Sequence, residues 1–267
     1  MKDIKIGGKI EASAISLGCM RMASLDEKDV DAIMNTAIEN GVTHFDHADI
    51  YGRGNSEKLF GAYLKRNKCA RDKMFIQTKC AIHDGQYDFS KEHVISSVEG
   101  SLSRLGIDYV DMLLLHRPDT LMEPEEVAEA FDILESSGKV LNFGVSNHNP
   151  MQINLLKTAV KQPIMANQLQ FSITESGMIT SGMNANMKNS ESVMHDGSVL
   201  EYSRINNITI QAWSPFQHGF FKGSYIDNEE FPELNKKLTE IGEKYALTKT
   251  GVVSAWILRH PANMQLI

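Results

Sequence analysis

Residues 74–116 read MFIQTKCAIHDGQYDFSKEHVISSVEGSLSRLGIDYVDMLLLH, and this stretch decides the fold. It opens with Met74 to Lys79, a short apolar run of strand length. A helical pattern follows over Ser90 to Leu105: Val94, Val98, Leu102 and Leu105 return on one face, and Gly106 stands behind them as a stop signal. A second apolar run, Tyr109 to His116, reads as the next strand. Strand, helix and strand in that order predict a crossover unit of a parallel sheet.

The same grammar extends in both directions. Upstream, a hairpin around Gly7-Gly8 precedes a strand over Ile15 to Leu17. Ser24-x-x-Glu27 has capping-box spacing and opens a helix with Val30, Ile33, Met34, Ala37 and Ile38 on one face, stopped by Gly41. Strand Thr43 to Asp46 and helix Ser56 to Lys65 complete the next unit. Downstream, a helix begins near Pro124 and ends at Gly138, and strand Val140 to Ser146 runs into Asn149-Pro150, an N-cap with proline at the first helical position. Strand Ile164 to Phe171 is followed by a polar excursion, Thr174 to Gly197, without clear periodicity, expected to be a solvated lid or a disordered loop. A short helix at Val199 to Ile205, strand Ile208 to Trp213, helices Pro232 to Tyr245 and Thr250 to Arg259, and an eighth strand at Met264 to Ile267 close the chain.

Eight strands alternating with helices predict an α/β fold, a (β/α)8 TIM barrel built as a single domain over residues 1–267. A doubly wound open sheet competes, but no G-x-G-x-x-G follows the first strand, where such a sheet carries its dinucleotide turn. Composition agrees with an ordinary folded protein: 42% hydrophobic and 23% charged. The 27 basic and 34 acidic residues leave a net charge of −7, with no basic run for nucleic acid or a membrane surface. Cys19, Cys69 and Cys80 are odd in number and lack C-x-x-C spacing, which argues against a disulfide framework or a structural zinc site. The N-terminus lacks a signal-peptide pattern, and no segment approaches the ~20 apolar residues of a membrane span, so a cytoplasmic protein is expected.

In a barrel the active site lies where strands end and their loops begin. Asp46 with Tyr51 just beyond it, Lys79 and His116 stand at the ends of strands two, three and four. Each alone reads as a solvated, packing or hydrogen-bonded residue; together they suit the reduction of a carbonyl. Hydride arriving at carbon leaves negative charge on oxygen, and a tyrosine with a pKa of about 10 is a plausible proton donor to it. A lysine beside the phenol favours its ionised form, Asp46 holds that lysine, and His116 donates a hydrogen bond to the carbonyl oxygen.

These residues resemble the aldo-keto reductase family. Phe45-Asp46-His47-Ala48-Asp49-Ile50-Tyr51-Gly52 is similar to its D-x-A-x-x-Y-G signature, with Ser56-Glu57 following. Lys79 matches its catalytic lysine, and Leu115-His116-Arg117-Pro118-Asp119 its histidine segment. The resemblance implies that Tyr51 is the general acid, that Lys79 and Asp46 tune it and that His116 orients the carbonyl. Gly144-Val145-Ser146-Asn147-His148 is similar to the family's nicotinamide segment. It implies that Ser146, Asn147 and Gln168 bind the nicotinamide amide, that Trp213 stacks on the ring, and that Ser214, Phe216 and the loop to Lys222 lie along the pyrophosphate. Gly18, Met20 and Arg21 are assigned to the cofactor on the same basis. The implied cofactor is NADP(H), with NAD(H) open; the implied protein is a monomer acting on a small carbonyl compound, without a metal.

Two departures stand out. The Thr174–Gly197 loop resembles an insertion in a bacterial oxidoreductase subgroup of the family and carries His195-Asp196, where a metal site is conceivable. The barrel also reads as C-terminally short, lacking the final outer helix and the loop that receives the adenosine 2′-phosphate. An uncovered eighth strand is expected to leave an apolar flank facing water, which suggests a shortened chain, an unusual gene product or reliance on a partner surface. A non-enzymatic or cofactor-sensing relative is the main alternative. A metal-dependent barrel using His44, His47 and Asp49 is a further one, disfavoured because His44-x-x-His47 on a strand points to opposite faces.

Overall fold

Eight short parallel strands form the frame, in the order in which the chain supplies them. The computed structural model describes residues 1–67, 71–83, 85–193, 195, 197–220 and 222–267, so that Cys69 and Asp196 lie outside the described residues. The chain opens with the expected antiparallel hairpin, β1 (Asp3–Ile6) and β2 (Ile10–Ser13). The strands β3 (Ser16–Gly18), β4 (His44–Asp46) and β5 (Phe75–Cys80) follow. After an outlying hairpin, β6 (Ile82–His83) and β7 (Gln86–Tyr87), the frame continues through β8 (Met112–Leu115), β9 (Phe143–Ser146) and β10 (Ile164–Gln170) to β11 (Thr209–Trp213) and β12 (Gln265–Leu266). Apart from the two hairpins, each strand pairs in parallel with the next, and a parallel bridge between Ile15 and Leu266 joins the last strand to the first. The sheet is therefore a closed (β/α)8 barrel.

The helices are α1 (Glu27–Glu39), α2 (Asn55–Arg66), α3 (Lys91–Leu105), α4 (Pro124–Ser136), α5 (Pro150–Leu156), α6 (Gly177–Met183), α7 (Val199–Ile205), α8 (Pro232–Tyr245) and α9 (Lys249–Leu258). Asn149 caps α5 with Pro150 in the first turn, as the sequence predicts, and Gln152 completes a capping box that the sequence reading did not include. The start of α1 differs from expectation. Its N-cap is Asp26, which accepts from Asp29 N at 2.8 Å, whereas Ser24 donates to Arg21 O inside a preceding 3-10 turn. That turn buries Met22, so the helix begins only after Met22 is seated in the core.

Two apolar layers lie between the strands and the helices, one around Phe45, Phe60 and Phe131, the other around Phe171, Leu238 and Val253. A third cluster sets Ile4, Ile6, Ala12 and Ala14 of the first hairpin and its flank against Met112, Leu114 and Met165, plugging one end of the barrel. The expected apolar flank is smaller than predicted: Met264 and Leu266 are themselves buried against α9's layer, and partial exposure falls on Ile15 and Leu17 next door. No helix among the described residues is long and apolar enough to cross a membrane.

Candidate active site

Three adjacent strand ends carry the titratable groups. β4 ends at Asp46, and the loop behind it turns Tyr51 back over the same mouth. Lys79 sits next to last on β5, and His116 is the first residue past β8, its N–H held by Cys80 O at 2.9 Å. Lys79 is fully buried, and its ammonium has three acceptors for its three protons: Asp46 Oδ2 at 2.7 Å, His47 O at 2.7 Å and Tyr51 Oη at 3.1 Å. Asp46 Oδ1 accepts from Gln77 Nε2 at 2.6 Å and Gln168 Nε2 at 3.0 Å. A buried ion pair is tolerable only when its remaining hydrogen-bonding capacity is filled in this way.

Burial alone would neutralise both partners; their mutual attraction and these hydrogen bonds win, holding the Asp46 carboxyl below and the Lys79 ammonium above its ordinary range. Tyr51 goes the other way. Burial raises its phenol more than the Lys79 charge lowers it, and the Asp46 charge raises it further. Lys79 eases ionisation as the sequence reading has it, but burial outweighs it, so the phenol stays protonated at neutral pH and is in the right state to donate.

His116 meets the Tyr51 ring edge-on, with centroids 5.9 Å apart. Burial, then the Lys79 charge, pushes its pKa down to about 3, so it is neutral. Among the described residues its Nδ1 is buried without a hydrogen-bond partner. An unpaired buried N–H costs more than an unpaired lone pair, which assigns the proton to Nε2 and leaves that nitrogen as a hydrogen-bond donor.

Above these groups opens a cavity of about 830 Å³. Asp46, Tyr51 and His116 line it, as do Gly18, Met20, Arg21, Ser146, Asn147, Gln168, Trp213, Ser214 and Phe216. Lys79 lies beneath its floor, and Lys222 is exposed, outside the wall. Asn147, at φ 60°, is the hub: its Nδ2 donates to Ser146 Oγ at 2.8 Å and His116 O at 3.3 Å, and Trp213 Nε1 donates to its Oδ1 at 3.2 Å. A flat indole, two primary amides and a hydroxyl converging on one pocket fit a nicotinamide ring with its carboxamide. A second cavity, of about 540 Å³, lies toward the plugged end beside Lys5, Glu201 and Arg204 and has none of these groups.

The sequence model of the aldo/keto reductase family matches residues 14–267. This chain belongs to the aldo/keto reductase family. It is 35% identical, over all of its length and 87% of the relative's, to the uncharacterized oxidoreductase YcsN of Bacillus subtilis. To a 6-dehydroglucose reductase of Agrobacterium fabrum it is 34% identical, covering 99% of this chain and 86% of that protein. A crystal structure of a thermostable aldo-keto reductase in complex with the inhibitor epalrestat superposes with a TM-score of 0.78 at 25% identity, covering the whole of this chain and 88% of the other.

Parts of this reductase's pocket escape the sequence reading. Ile82, Gly85 and Tyr87 of the β6–β7 hairpin form one wall, and Phe220 contributes to another. The signal for the hairpin is Asp84-Gly85, a turn dipeptide between apolar residues. The polar excursion also proves more ordered than expected. It contains α6, which buries Met178, and among the described residues none from Thr174 to Gly197 lines the cavity. Its first residues instead brace the wall from behind: Glu175 Oε1 accepts from Gly219 N at 2.8 Å, and Thr174 Oγ1 donates to Gln217 O at 3.3 Å. His195 is exposed. His44 bonds Ser16 Oγ, and His47 packs edge-on against Phe60.

Proposed function

We propose that this aldo/keto reductase reduces an aldehyde or ketone to the alcohol at the expense of NADPH, with Tyr51 as general acid. The observation that carries the reading is the chain Tyr51 Oη–Lys79 Nζ–Asp46 Oδ2, at 3.1 and 2.7 Å, beneath the cavity that Trp213 and Asn147 line. A bound reduced nicotinamide supplies the hydride. Ser146, Asn147 and Gln168 hold its carboxamide and Trp213 its ring face. Ser214, Phe216 and Lys222 follow the pyrophosphate, and Gly18, Met20 and Arg21 the opposite wall.

Within that frame His116 Nε2–H polarises the carbonyl, and the protonated phenol of Tyr51 delivers its proton to the oxygen as charge develops there. Lys79 fixes the phenol oxygen and stabilises the phenolate left behind, while Asp46 keeps the lysine charged and in place. Preference for NADPH over NADH rests on the family resemblance. The same reading takes residues 1–267 as one catalytic domain, a cytoplasmic monomer. The Agrobacterium relative named 6-dehydroglucose reductase makes sugar-derived aldehydes the first substrates to screen, followed by α-diketones and quinones.

Tyr51→Phe tests the assignment. Turnover of the best aldehyde falls by about 10²-fold or more, the usual contribution of a general acid, while quenching of Trp213 fluorescence by NADPH persists. Turnover at the parental rate removes Tyr51 from this role. NADPH binding by the parent protein without consumption of any carbonyl in the panel favours the cofactor-sensing reading.

A further inference from the structure

We propose that His83, Asp88 and His93 form a binding site for a divalent transition-metal ion of the zinc class, set in the outer wall of the pocket and separate from the catalytic groups. His83 ends β6, Asp88 follows β7 and His93 lies in the first turn of α3; one ligand atom from each is within 4.8 Å of the other two. Two imidazoles and a carboxylate are a donor set that borderline divalent ions take up, with the remaining positions left to water. At zinc–ligand bonds of about 2.0–2.1 Å, tetrahedral donors stand about 3.3 Å apart. The widest separation here therefore has to close by about 1.5 Å, and exposed His83, on a two-residue strand, is placed to move.

The other two ligands are already held. Ser90 N donates to Asp88 Oδ1 at 2.9 Å, which fixes the carboxylate at the head of α3. His93 Nε2 lies 3.3 Å from Ser97 Oγ. A hydroxyl on one ring nitrogen is the outer-shell support that orients a histidine to ligate through the other. The His83 and His93 rings face each other with centroids 5.0 Å apart. Because Ile82, Gly85 and Tyr87 of this hairpin line the cavity, an ion here ties that wall to α3.

The test uses the full chain, stripped with a chelator and titrated with Zn²⁺ by calorimetry and with Co²⁺ by visible absorption. One ion per chain is expected, with d–d bands for Co²⁺, an affinity lower by about tenfold or more in His93→Gln and in Asp88→Asn, and loss of the bands in the His83→Gln/His93→Gln double variant. Circular dichroism confirms that each variant is folded. Binding by the parent no tighter than by the double variant, or Co²⁺ bands that survive in it, overturns the site. Amide exchange over residues 85–88 is expected to slow with Zn²⁺ in the parent alone; unchanged exchange on a loaded protein overturns the tie to the pocket wall.

Discussion

Asp49 stands three residues after Asp46 in sequence yet does opposite electrostatic work. Asp46 faces an ammonium and stays ionised; Asp49 is half-buried near Glu57, whose charge Arg104 only partly opposes, and its Oδ1 has no hydrogen-bond partner among the described residues. Burial first, then the Glu57 charge, pushes its pKa up to about 7. A carboxyl raised in this way favours the folded state in its neutral form. Its contribution is complete below the ordinary carboxylate range, near pH 4, and is lost as pH rises through about 7. The shift bounds that contribution at about 4 kcal/mol, less what its partial solvent access screens. Asp49→Asn removes the loss: urea midpoints of parent and variant converge near pH 5, and the variant is the more stable at pH 8. Parallel curves from pH 5 to 8 contradict the protonated Asp49. From sequence Asp46 already had its partner in Lys79, whereas the protonation of Asp49 is decided by packing alone.

Among the elements, α2 and α3 are held closest by what is missing between them. A Cβ on Gly61 of α2 would sit 2.5 Å from Arg104 O and 2.7 Å from Leu105 O at the end of α3. Those are backbone atoms fixed by the left-handed cap at Gly106, so neither can step aside cheaply. Gly61→Ala should therefore destabilise by about 1–2 kcal/mol although alanine is the better helix former by about 1 kcal/mol. A lowered melting temperature with unchanged NADPH binding checks it; a raised one shows that the helices can part. The same contact positions Glu57, whose buried carboxylate takes Arg104 Nε at 2.7 Å and Thr78 Oγ1 at 2.7 Å. At this scale the sequence was informative where one local signal dominated. Asn149-Pro150 announced α5, and Gly106 ended α3. It misled where two signals competed: Ser24 has the spacing of a cap, but Met22 pulls its turn into the core. The β6–β7 strands and α6 are two to seven residues long, too short to show a period.

Over the whole molecule, barrel closure and the active site share one polar network, which the expectation of an aliphatic barrel interior does not anticipate. Gln265 on β12 donates to Ser13 O at 2.7 Å across the closing seam and accepts from Gln211 Nε2 at 2.9 Å. Gln211 and Gln77 exchange amide hydrogen bonds at 2.9 and 3.0 Å, and Gln77 reaches Asp46. The alternation of strands and helices made the topology and the four strand-end residues legible, because each is set by local pattern and chain order. The glutamines were not, since a polar residue in a strand reads as surface until closure turns it inward. Gln265→Leu keeps approximate volume while taking this donor from Ser13 O and leaving Gln211 Nε2 with Gln77 and a longer 3.4 Å contact to His44 Nε2, an expected cost of about 1–3 kcal/mol. The seam should loosen locally, so exchange of the Leu266 amide, which donates to Ala14 O at 3.1 Å, should accelerate more than that of amides in β8. Equal exchange at both places would mean that backbone pairing alone closes the barrel and that the glutamine chain serves only to present Gln77 to Asp46.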